Sequence, residues 1–234
     1  MRAVRLSLLA ILVGAALGAA ALLWFLPALR GALMPRAFGL DRAVPGVWVE
    51  GAMTPAARAD LVAGIAAARA RVAAFYGPPR AHLSVLACAT EACERALGGR
   101  GAAAVTYSAG AVSVLRLAPR GLDPVILTHE LTHAETHARL GLWGQISGRM
   151  PVWFDEGLSV VVSGDPDYLG PSPGRACLRR PRPDLPASPF DWAPAAAADR
   201  RLYAEAACAV LDWADRHGGL AAIPAALEQG ARLP

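Results

Sequence analysis

His129-Glu130-Leu131-Thr132-His133 is the stretch that decides how this 234-residue chain is read. It lies in the run from Asp123 to Gly141, whose pattern predicts one helix. Asp123 suits the cap and Pro124 the first helical position. Leu127, Leu131, Ala134 and Ala138 recur at helical spacing. Residues four apart share a helix face, so His129 and His133 project the same way. Two imidazoles on one face can hold a single Zn2+, and Glu130 is placed to take a proton from an attacking water. The expectation is peptide-bond hydrolysis by a metal-activated water, with one Zn2+ per chain and Glu130 as general base.

Catalytic zinc takes three protein ligands and keeps a fourth position open. Glu156 follows His133 by 23 residues, at the start of a second helix expected over about 153–163. Two antiparallel helices would bring Glu156 to His129 and His133. Asp155 would point about 100° away on that helix and reads as a supporting or capping group. His137 continues the face of the first two histidines. Three histidines on one straight helix span about 12 Å, too far for one ion with bonds near 2.0–2.1 Å. His137 therefore reads as a packing or supporting residue.

A tetrahedral intermediate needs a donor for its oxyanion. Tyr203, in a last long helix expected to begin near Ala195, is the candidate; an ordinary buried tyrosine is the other reading. An extended substrate could pair with an exposed strand edge, and Ala111 to Leu117 is the expected edge. The substrate class is peptide or protein, with endopeptidase and aminopeptidase action both open.

Leu6 to Leu29 is a nearly continuous apolar run, and Leu8 to Leu26 carries no charge. Nineteen such residues suffice to span a bilayer. A membrane anchor over residues 1–29 is expected, with a cleavable signal peptide as its competitor. Residues 30–45 read as a linker and 46–234 as the catalytic domain. Arg2 and Arg5 favour an N-terminus inside. That places the domain on the periplasmic or extracellular side of a bacterial inner membrane, or outside the cell if the segment is cut. Cys88 with Cys93 and Cys177 with Cys208 are expected as two disulfides, in keeping with an oxidising compartment. The formal charge is +4, but the arginines are spread along the chain, apart from Arg175, Arg179, Arg180 and Arg182 in a Pro-rich loop. That distribution argues against nucleic-acid binding. The loop cluster reads as a solvated segment, with an acidic partner or phospholipid headgroups as the other reading. Oligomeric state is not legible, and Gly164 to Ala193 reads as a long Pro-, Gly- and Arg-rich loop.

The chain resembles the gluzincin metallopeptidases, and among them the bacterial peptidase MA-like domains. The resemblance rests on His129-Glu130-Leu131-Thr132-His133 followed by Pro151-Val152-Trp153-Phe154-Asp155-Glu156-Gly157-Leu158-Ser159, and covers about residues 55–230. It implies His129, His133 and Glu156 on zinc, Glu130 as base and Tyr203 near the oxyanion. It also implies a thermolysin-like α+β fold with a small N-terminal β/α lobe and a helical C-terminal lobe. One transmembrane helix is expected ahead of that fold. Metzincins fit worse, since their third histidine would fall at Arg139. The alternatives are a catalytically inactive relative serving as a binding or scaffold module in the envelope, and a metal-free helical protein with incidental histidines.

Overall fold

Short apolar runs divided by Gly and Pro build the first half of the chain into strands, and longer runs at helical spacing build the second half. The computed structural model describes residues 23–171 and 177–234, with residues 13, 14, 18 and 21. Helix α1 (Pro27–Leu33) precedes strands β1 (Leu40–Val44) and β2 (Val47–Glu50). Helix α2 (Pro55–Tyr76), strand β3 (His82–Ala87) and the short helix α3 (Glu91–Ala96) follow, then the hairpin of β4 (Ala104–Ala109) and β5 (Val112–Leu117). The helical half comprises α4 (Pro124–Ile146), α5 (Val152–Ser163), α6 (Pro189–Ala198), α7 (Arg201–Arg216) and α8 (Ala222–Glu228).

The strands form one mixed sheet in the order β1-β2-β3-β5-β4. The β1–β2 and β4–β5 pairs are antiparallel; β2–β3 and β3–β5 are parallel. Alternating side chains give the sheet two apolar faces. Val47, Val49, Val85, Leu115 and Leu117 join Leu61 and Ile65 of α2 and Leu127 and Leu131 of α4 in the main core. Leu86 and Val114 join Ala28, Leu97 and Cys93 on the other side. The architecture is α+β, as the sequence leads one to expect.

Several sequence expectations are corrected. The transmembrane helix over residues 1–29 is the first. Among the described residues no helix is long and apolar enough to cross a membrane, and most of the expected span lies outside them. At its described end Pro27 opens a separate seven-residue helix, α1. That helix buries Ala28 and Gly31 against the sheet, with Gly31 close to Leu97 and Leu86. Residues 30–45, read as a linker, likewise contribute α1 and β1.

The second correction concerns the edge strand. The tight turn at Gly110 (φ 60°) folds β4 outside β5. The segment Ala111 to Leu117 is paired on both sides, and the free edge belongs to β4. The third concerns the cysteines. Cys88 and Cys93 are bonded, whereas Cys177 and Cys208 are free thiols. Desolvation, then the hydrogen bond to Cys208, pushes the Cys177 thiol up to about 12, and a protonated thiol is a poor nucleophile. The expected last long helix is also divided. Ser188 caps α6 at Asp191 N and Pro189 takes its first position, while α7 starts afresh after Asp199.

Helix α5 lies between α4 and α7. Gly157 permits the α7 contact, since a Cβ there would meet the Ala206 carbonyl oxygen at 2.4 Å. Gly157→Ala is expected to destabilise the protein by about 1–3 kcal/mol through overpacking, a fall in Tm of roughly 2–12 °C by thermal melting. Glu94 on α3 is buried and accepts two 2.7 Å hydrogen bonds from Arg120. Those bonds, with the charges of Arg120 and the buried Arg116, hold its carboxyl below the ordinary 4.5. A lowered folded value gives stability that is complete above 4.5 and lost as pH falls through that lower value. Glu94→Gln should therefore melt below wild type at pH 7, and the gap should close progressively below pH 4.5.

Candidate metal centre

Helix α4 begins as its sequence dictates. Asp123 Oδ1 accepts from Val125 N and Ile126 N, and Pro124 occupies the first position. Leu127, Leu131 and Ala134 are buried. His129 and His133 leave the same face, and α5 approaches them with Glu156. His133 Nε2 lies 3.1 Å from His129 Nε2. Glu156 Oε2 lies 3.3 Å from His129 Nε2 and 3.6 Å from His133 Nε2. Ligands about 2.0–2.1 Å from a tetrahedral ion stand roughly 3.4 Å apart, so this triangle has the size that Zn2+ requires.

The donor chemistry fits as well. Asp155 Oδ2 accepts from His133 Nδ1 at 2.8 Å and from His137 Nε2 at 2.9 Å. With Nδ1 carrying the proton, His133 turns the lone pair of Nε2 toward the triangle. Ser159 Oγ also lies 3.3 Å from that Nδ1. Electron-rich atoms this close call for a positive charge between them. Burial alone would lower the His133 imidazole, but the charges of Asp155 and Glu156 outweigh it and raise it well above its ordinary value. Burial likewise pushes the Glu156 carboxyl up, yet His133 and His129 bring it down to about 2. Asp155 is lowered further, against its burial, by His133 and His137.

The structure brings His129, His133 and Glu156 together, with Glu130 one residue along the helix. Glu130 is held from the sheet side, where Thr106 Oγ1 donates to its Oε2 at 2.7 Å. Tyr203 faces His129 at 6.3 Å between ring centroids. It stacks on Tyr168 at 5.2 Å and meets Trp192 edge-on at 5.4 Å. Burial, and then the Glu156 charge, raises the Tyr203 hydroxyl well above its ordinary value. His137 stands outside the triangle and serves Asp155.

Sequence reading misses Thr106, Tyr168 and Ser159. Thr106 precedes Glu130 by 24 residues in a strand of modest pattern, and only the β4–β5 pairing turns it toward α4. Compared with protein-family models, curated proteins and solved structures, the chain matches none of them.

Removing the Asp155 carboxylate frees the His133 ring to rotate. Asp155→Ala should weaken zinc binding about 10–100-fold in competition against a chromophoric chelator, with His137→Ala weakening it less.

Proposed function

We propose that this protein is a zinc-dependent peptidase of the gluzincin type. The observation that carries the reading is the triangle of His129 Nε2, His133 Nε2 and Glu156 Oε2, with sides of 3.1–3.6 Å. These three residues would hold the ion. Bound there, Zn2+ supplies a Lewis acid that polarises a peptide carbonyl and makes water acidic.

The chain's own groups do the rest. Glu130 takes the proton of the attacking water and delivers it to the leaving amine. Thr106 fixes the Glu130 carboxylate through its 2.7 Å bond, so the base needs no reorientation during the reaction. Tyr203 is the donor on the far side of His129 for charge developing on the carbonyl oxygen. The β4 edge offers unpaired backbone groups to an extended peptide, and it passes directly beside Glu130 through Thr106.

The test is metal content by elemental mass spectrometry on full-length protein purified without chelator, paired with cleavage of a broad peptide library. One zinc per chain is expected, lost in His133→Ala and in Glu156→Ala. Glu130→Gln should keep the zinc and lose cleavage by roughly 10^2–10^4-fold. Zinc retained in both ligand variants would overturn the site. Zinc bound by the three residues without any peptide cleavage would return the protein to the reading of a binding module.

A further inference from the structure

The chemistry above uses one side of Tyr203. Tyr168, which stacks on Tyr203, also lines a surface cleft of about 400 Å3 with Asp167, Leu178, Arg179, Arg200 and Arg201. Three guanidinium groups meet one carboxylate there. Arg201 is tied to Asp199 by two hydrogen bonds of 2.7 and 2.9 Å. Nearby Arg182, outside the cleft, is tied to Glu205. Arg179 and Arg200 form no salt bridge among the described residues, with Asp165 near enough to act on the Arg200 charge.

Arg200 is nonetheless held. Its Nε and Nη2 both donate to Tyr168 Oη, at 3.0 and 2.6 Å. A neutral phenol fixes the guanidinium without cancelling its charge, so Arg200 stands at the cleft wall pre-oriented for an anion. Tyr168 is buried and nearly parallel to Tyr203, which faces His129. The segment bearing Arg179 is anchored too. An antiparallel bridge joins Leu169 to Cys177, whose free thiol lies near that of Cys208 on α7. The first turn of α7 lines the same cleft with Arg201 and Ala204, adding the positive end of the helix.

We propose that this cleft binds a carboxylate of the peptide substrate, with Arg200 and Arg179 as its clamp. The carboxylate is a free C-terminus or an Asp or Glu side chain. The path from His129 to Tyr203 and on to Tyr168 has centroid steps of 6.3 and 5.2 Å, a length that three to four extended residues cover at about 3.3–3.6 Å each. The anionic group therefore belongs about that far from the bond at the histidines. Asp167 in the lining repels a carboxylate, but the arginines outnumber it. The inference rests on the peptidase reading for the nature of the ligand, but its readout is binding.

The experiment uses full-length Glu130→Gln protein and fluorescence anisotropy of labelled peptides. One pair has a free or amidated C-terminus; a second, amidated pair has an internal Glu or Gln. At least tenfold tighter binding of the carboxylate member is expected in one of the pairs, and which pair identifies the source. Adding Arg200→Gln should remove that preference, Arg179→Gln should reduce it, and Arg182→Gln should leave it intact. Arg179→Gln leaves the Arg200–Tyr168 contact in place, so a loss there is not a folding effect. Equal affinity within both pairs, no peptide binding, or a preference that survives the Arg179→Gln/Arg200→Gln double variant would overturn the proposal. Failure of peptide cleavage alone would overturn the enzymatic reading and leave this result standing.

Discussion

The molecule depends on how closely α5 can approach α7. At Gly157 the two backbones come within the space a single methyl would fill. That contact fixes both the depth and the rotation of α5. Glu156 precedes the glycine and turns toward His129; Asp155 precedes Glu156 and turns toward His133. Two consecutive acidic residues thus perform different tasks, one completing the donor triangle and the other orienting an imidazole. The roughly 100° between neighbours on a helix makes that division possible.

The opposing helix is clamped from behind. Glu135 on α4 accepts from the backbone of Arg80 and Ala81 and pairs with Arg139. Arg139 in turn donates to the carbonyls of Tyr76 and Pro78, and the Tyr76 hydroxyl meets Thr136 at 2.6 Å. Together these bonds tie α4 to the end of α2 and the approach to β3. Buried charges cost free energy unless fully paired, and here the pairing takes up backbone groups that a turn would otherwise leave open. His129 and His133 are therefore presented by a helix that side-chain bonds hold to α2 and to the segment before β3.

How much of this is legible in the sequence follows from distance along the chain. The spacing of His129 and His133 is a local fact, and helix geometry converts it directly into a shared face. Glu156 is legible because it sits in a second compact pattern with its own glycine. The strand order is not, because β4 and β5 have similar patterns and only the turn at Gly110 decides which lies outside. Strand β1 is hidden because Leu-Asp-Arg-Ala-Val shows one strong apolar position before its polar pair. Thr106 and Arg200 carry no local pattern at all; their partners, Glu130 and Tyr168, are 24 and 32 residues away. The boundary between α6 and α7 is written in Ser188-Pro189 and in Asp199, but alanine on both sides disguises the break.

The cleft wall and the donor triangle are built from different parts of the chain. The triangle sits on α4 and α5, locked by α2 and α7. The wall comes from the connection after α5 and from the first turn of α7, joined to the frame through the Leu169–Cys177 bridge and the Tyr168 ring. Leu178 and Arg179 of the wall lie between α5 and α6, whereas every donor atom of the triangle lies on α4 or α5. On the peptidase reading proposed above, selection and chemistry thus sit on separate stretches of one chain, a fitting carried on a chassis.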